Sequence, residues 1–184
     1  MKEKTAWSRL LRLLVICSFL SAISIVLGKY LAINAGEVLR FSFENLPIIF
    51  AGMAFGPLAG IAVGTVADLV GCLLVGYAIN PIVTLGAASV GAISGIYVFL
   101  PRTGGGVSHF LRISLAVASA HIIGSVVIKT LGLAAFYAMP VGVLMLWRLL
   151  NYLIVGALEG FLLYHLMKNR RIQSEINAIM RFRK

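Results

Sequence analysis

Eight charged residues lie within or beside long apolar stretches of this chain: Lys29, Glu37, Arg40, Glu44, Asp68, Lys129, Arg148 and Glu159. A charge in such surroundings is costly, and it is usually functional or paired. The cations Lys29, Arg40, Lys129 and Arg148 converge on one end of the apolar stretches, the outer end in the topology below, against the nearby carboxylates Glu37 and Glu44. That pattern suggests an outward-facing pocket for an anion-bearing solute. Arg148 can grip a carboxylate with two parallel bonds, and Lys29 and Lys129 act as point charges. The competing reading is internal pairing, for example of Lys29 or Arg40 with Glu37 or Glu44, or a lysine that snorkels to water. Asn151 lies near Arg148, and Tyr77, Asn80 and Thr84 add neutral hydrogen-bonding groups. Asp68 and Glu159 lie deeper, either as a proton relay or as polar contacts between helices.

No catalytic motif accompanies these residues. There is no G-x-x-x-x-G-K-[ST], H-E-x-x-H or G-x-S-x-G, and Gly104-Gly105-Gly106 lacks the lysine that a phosphate loop requires. An enzyme is therefore not expected, nor a cofactor in this chain, and any ATP must be used by another subunit. His109, His121 and His165 have no metal-ligand spacing and receive no role. Cys17 and Cys72 read as small apolar helix residues.

The elements that position these groups must be membrane spans. Of 184 residues, 60% are hydrophobic and only 12% charged, and the mean hydropathy is +1.00. A soluble domain carries roughly a quarter charged residues. The pattern predicts an all-α membrane protein, one integral domain with six spans at about 9–33, 44–55, 58–75, 81–100, 109–137 and 141–167, and a basic tail over 168–184. The tail is expected to be either an amphipathic helix on an anionic lipid surface or a disordered segment. The net charge of +10 sits mostly at the chain ends and in the loop around Arg102. By the positive-inside rule these segments, with both termini, face the cytoplasm. Nucleic acid is not implied.

The second span is a dozen residues, short of the roughly 20 needed to cross. The connection before it is therefore expected to fold into the protein and to border a binding site. Small residues recur every four positions at Gly52, Gly56, Gly60 and Gly64, at Ala87, Gly91 and Gly95, and at Ala116, Ala120 and Gly124. Such stripes let helix backbones approach closely. In the first span Ser18 and Ala22 form a small groove among bulky residues, suited to a partner's helix.

The run from Phe41 to Gly52, then Phe55-Gly56-Pro57-Leu58-Ala59-Gly60, then Ala67-Asp68-Leu69-Val70-Gly71, resembles the substrate-binding (S) components of energy-coupling factor (ECF) transporters. Nearly the whole chain shares the likeness. The run from Asn80 to Ala87, Lys129-Thr130-Leu131-Gly132-Leu133, and Arg148 followed by Glu159 are similar to the folate-type branch. The resemblance implies a vitamin-binding subunit in a prokaryotic cell membrane. It would hold its ligand near the outer face and work with a membrane coupling protein and two cytoplasmic ATPases. It also implies an A-x-x-x-A surface for the coupling protein, on whose positions Ser18 and Ala22 fall. Phe41, Phe43, Tyr77 and Tyr137 are then candidates to cover the vitamin's ring. Lys29 stands where the branch commonly has arginine, and Lys129 where it has asparagine. Both suit the glutamate tail of folate, and both suit another acidic vitamin such as pantothenate. A stand-alone proton-coupled carrier using Asp68 and Glu159, and a structural or sensory subunit without ligand, are the readings from other classes.

Overall fold

A computed structural model describes residues 2–35, 39–97, 99, 106–138 and 140–180. The described residues form an α-helical bundle with one short β-hairpin. Helix α1 (Lys2–Ile25) runs into a π-helical turn over Val26–Tyr30. Strands β1 (Ile33–Ala35) and β2 (Leu39–Phe41) pair antiparallel, Ile33 facing Phe41. There follow α2 (Asn45–Phe55), α3 (Pro57–Val75), α4 (Pro81–Ile96) and α5 (Gly106–Ala120). A π-helical stretch, His121–Ile128, joins α5 to α6 (Lys129–Tyr137), and α7 (Val141–Lys168) and α8 (Arg170–Met180) complete the chain.

Among the described residues, four helical stretches are long and apolar enough to cross a membrane: Trp7–Tyr30, Pro57–Val75, His109–Tyr137 and Val141–Lys168. Asn45–Phe55 and Pro81–Ile96 are shorter apolar helices. The helix of the first span ends at Tyr30 rather than at residue 33, because Ile33 is already in the hairpin.

The shortness of α2 has a packing reason. Pro47, Ile48, Ile49, Ala51, Gly52, Met53, Ala54 and Phe55 are all buried, so the helix is apolar all round and sits inside the bundle. It ends at Gly56, whose φ of 96° lies where an L side chain is disfavoured, and Pro57 opens α3 without losing a needed N–H. The small-residue stripes are the seams around it. A Cβ on Gly60 would run into the Gly91 backbone, one on Gly91 into Gly60, and one on Gly64 into the Ala87 carbonyl. Helices α3 and α4 therefore meet backbone to backbone, and Gly52 lays α2 against Gly91 and Ser94 of the same seam.

The basic tail forms helix α8. Gln173 Nε2 donates to the Met167 carbonyl at 2.7 Å, and the Asn169 side chain accepts from the Arg171 N–H at 2.9 Å. Ile176 and Ile179 are buried in the same apolar cluster as Ile49, Val63 and Leu163. The apolar face of α8 thus packs on α1, α2 and α7. Protein covers the stripe that the sequence offered to a lipid surface.

Candidate functional site

Five separate parts of the fold deliver polar side chains to one cleft. Lys29 comes from the π-helical turn that ends α1. Glu44 sits at the turn before α2 and Asp68 on α3, with Cys72 one turn further on; Lys129 and Arg148 come from the opposite wall. The cleft encloses about 200 Å³, and Tyr77, Asn80, Leu133 and Tyr137 complete most of its lining. A smaller void of about 20 Å³ adjoins it, lined by Ser24, Lys29, Glu44, Asp68 and Lys129 among others. Lys29 lies within a π-helical turn and Lys129 directly follows a π-helical stretch; such geometry widens the helix locally and recurs at functional sites.

Lys129 is buried, and its Nζ donates to Glu44 Oε1 at 2.8 Å and to Asn45 Oδ1 at 3.4 Å. Asn45, fully buried, donates in turn to Ser125 Oγ at 3.3 Å. Arg148 donates to the Ser125 carbonyl at 2.9 Å. One polar chain therefore ties the head of α2, the π-helical stretch and α7 together. Lys29 is held differently: its Nζ lies 3.8 Å from Cys72 Sγ and 5.5 Å from the centroid of the Tyr77 ring. Thr84 donates to Asp68 Oδ2 at 2.7 Å.

Internal pairing, the alternative open in the sequence, does occur on Lys129, which Glu44 engages, and among the described residues Lys29 forms no ion pair. Lys129 is accordingly a neutralised partner of Glu44 and not a free point charge. Among the described residues no carboxylate forms an ion pair with Lys29 or Arg148. These two are the cations the cleft offers to a ligand.

The remaining expected site residues divide clearly. Asn80 lines the cleft, yet its Oδ1 caps α4 by accepting from Ile82 and Val83 N–H, and its Nδ2 donates to the Gly132 carbonyl at 2.8 Å. Its amide is thus engaged by backbone at both ends. Thr84 acts through Asp68. Tyr137 lines the open side and is half-exposed. Asn151 is buried in α7 and does not line the cleft. Phe41 and Phe43 are half-buried, Phe41 in β2 and Phe43 just beyond it, and neither lines the cleft. Arg40 pairs through its backbone with Asn34, while its side chain and all of Glu37 lie outside the described residues. Ser18 and Ala22 are exposed on α1, next to the exposed Phe19.

A second polar centre escaped the sequence reading. His121 Nε2 and Glu159 Oε2 are 2.6 Å apart, with side chains 3% and 0% exposed. Tyr152 stacks on the imidazole at 4.6 Å between centroids. His121 Nδ1 and Glu159 Oε1 are buried without a hydrogen-bond partner among the described residues. Glu159 is therefore the partner of a histidine that had been given no role. The only signal in the sequence was the cost of leaving either group alone in an apolar helix.

The model for the ECF transporter substrate-specific component matches residues 12–167. A folate transporter, FolT, of Clostridium novyi (strain NT) is 24% identical over 172 residues, covering 93% of this chain and 96% of that protein. An uncharacterized protein of Mycoplasma pneumoniae, the MG313 homolog, is 37% identical over 70 residues, which span 38% of this chain and 24% of that protein. Among solved structures, a crystal structure of FolT bound with folic acid superposes with a TM-score of 0.66 at 24% identity, covering 83% of this chain and 91% of that chain. That likeness is one of fold. The chain belongs to the family of substrate-specific components of ECF transporters, membrane transport proteins rather than enzymes.

Proposed function

We propose that this chain is the folate-capturing subunit of an ATP-driven importer. The observation that carries the reading is the cleft itself, where Lys29 and Arg148 face an enclosed space without carboxylate partners among the described residues, and aromatic rings border it. Two such cations suit the paired carboxylates of a glutamate tail, Arg148 by parallel hydrogen bonds and Lys29 as a point charge. Tyr77 and Tyr137 offer faces to an aromatic head group. The similarity to folate transporters over nearly the full chain supports the same ligand.

In this reading the two shorter apolar helices count with the four long ones, giving six spans and both termini in the cytoplasm. The host membrane is a prokaryotic plasma membrane. A coupling protein docks on α1 at Ser18 and Ala22, where exposed small residues interrupt a bulky surface. Two cytoplasmic ATPases supply the energy, since this chain has no phosphate loop.

The test is a titration of the purified full-length protein in detergent with folic acid and with pantothenate, together with mass spectrometry of any ligand retained from the host. Saturable folic acid binding with pantothenate inert is expected. Binding of pantothenate alone would reassign the ligand, and binding of neither would overturn the capture role.

A further inference from the structure

Two carboxylates line a cleft that the proposed function assigns to an acid. Glu44 is explained by Lys129, which it neutralises at 2.8 Å. Asp68 is not explained this way. It lies half-buried on α3, borders both the main cleft and the small polar void, and accepts one hydrogen bond, from Thr84 at 2.7 Å. Among the described residues no cation forms an ion pair with it. A purely anionic ligand in this space would meet uncompensated like charge, which lowers its affinity.

An ionised carboxylate only accepts hydrogen bonds, so its complement is a donor. Thr84 engages one oxygen and fixes the plane of the group, leaving acceptor capacity toward the cleft. Lys29, with Tyr77 beneath its ammonium, stands on the same cleft as a donor for anionic groups. The cleft therefore carries an acceptor and donors of fixed position, which a ligand with only one kind of group leaves unsatisfied.

We infer that Asp68, oriented by Thr84, accepts from a donor edge of the ligand's head group, two neighbouring N–H groups on a planar amino-amide heterocycle, while Lys29 and Arg148 take the anionic end. This rests on the vitamin-capture reading and narrows it to ligands that join a donor-edged ring to a carboxylate tail. Pantothenate has the acid and lacks such a ring.

The test pairs a residue change with a ligand change in the full-length protein. Folic acid and its 2-desamino analogue are titrated against wild type and Asp68→Asn. A charge-assisted bond implies that wild type prefers folic acid by roughly tenfold to a hundredfold, and that Asp68→Asn weakens folic acid by a similar factor. The variant should then bind both ligands within about threefold of each other, because the lost amino group and the lost carboxylate are one interaction. Equal binding of the two ligands by wild type, or independent losses that multiply in the variant, would overturn the assignment while leaving folate capture intact. If wild type binds no folic acid, the capture reading itself falls and takes the assignment with it. Should Asp68→Asn fail to fold, Thr84→Val must lower the preference for folic acid; an unchanged preference refutes the role of Asp68.

Discussion

The His121–Glu159 pair allows a sharp energetic prediction, because its geometry states what each change leaves behind. The two groups lie 2.6 Å apart, and both side chains are buried. In Glu159→Ala the imidazole keeps no partner at Nε2, and its Nδ1 already lacks one among the described residues. A buried polar group left unsatisfied costs about 1–3 kcal/mol. The vacated side-chain volume adds about 1–2 kcal/mol, since the site is closed on α7 and packed against α5. The sum is about 3 kcal/mol, or about 6–12 °C in melting temperature for a chain of this length. Glu159→Leu refills the space and should lose only about 2 kcal/mol. The double variant His121→Leu, Glu159→Leu removes both polar groups and should melt within about 1 kcal/mol of wild type, as buried pairs replaced by apolar residues do. With His121→Leu, which orphans the carboxylate, losing a similar amount, the coupling energy from this cycle, measured by thermal unfolding in a single detergent, is about 3 kcal/mol. That exceeds the roughly 0.6 kcal/mol typical between membrane helices, owing to the short and fully desolvated contact. Additive single variants, with coupling below about 0.5 kcal/mol, would refute the reasoning, since the pair would then contribute nothing as a pair.

Three further outcomes follow from the geometry. Arg148→Ala removes the donor to the Ser125 carbonyl and a cation of the cleft that forms no ion pair among the described residues, and should weaken folic acid binding at least tenfold in a calorimetric titration; unchanged affinity would remove Arg148 from the site. Ala22→Leu fills the exposed small position on α1 and should prevent co-purification of the coupling protein and ATPases while folic acid binding persists. An intact complex would show that the coupling protein docks elsewhere. Gly91→Ala drives a methyl group into the Gly60 backbone and should destabilise the bundle by about 1–3 kcal/mol, whereas Gly142→Ala, with open space around it, should not lower the melting temperature.

What the sequence determined by itself was what depends on local composition. Apolar runs marked the long spans, and Gly60, Gly64, Ala87 and Gly91 marked the α3–α4 seam, because spacing along a helix is spacing on its face. The cations of the cleft were legible for the same reason: Lys29 and Arg148 are conspicuous in apolar segments wherever the chain folds. Which charges meet was not legible. Lys129 and Glu44 are 85 positions apart, and His121 and Glu159 are 38 apart, so several pairings satisfied the same list of residues. Only the bundle decides among them, by placing the head of α2 against the start of α6. The π-helical turns at Lys29 and before Lys129 were equally hidden, since they shift a side chain without a marker such as proline or glycine at a fixed place. Nor did the tail's amphipathic stripe name what it packs on: an apolar face accepts lipid or protein alike, and α8 turned back onto the bundle where Ile176 and Ile179 found a closed core.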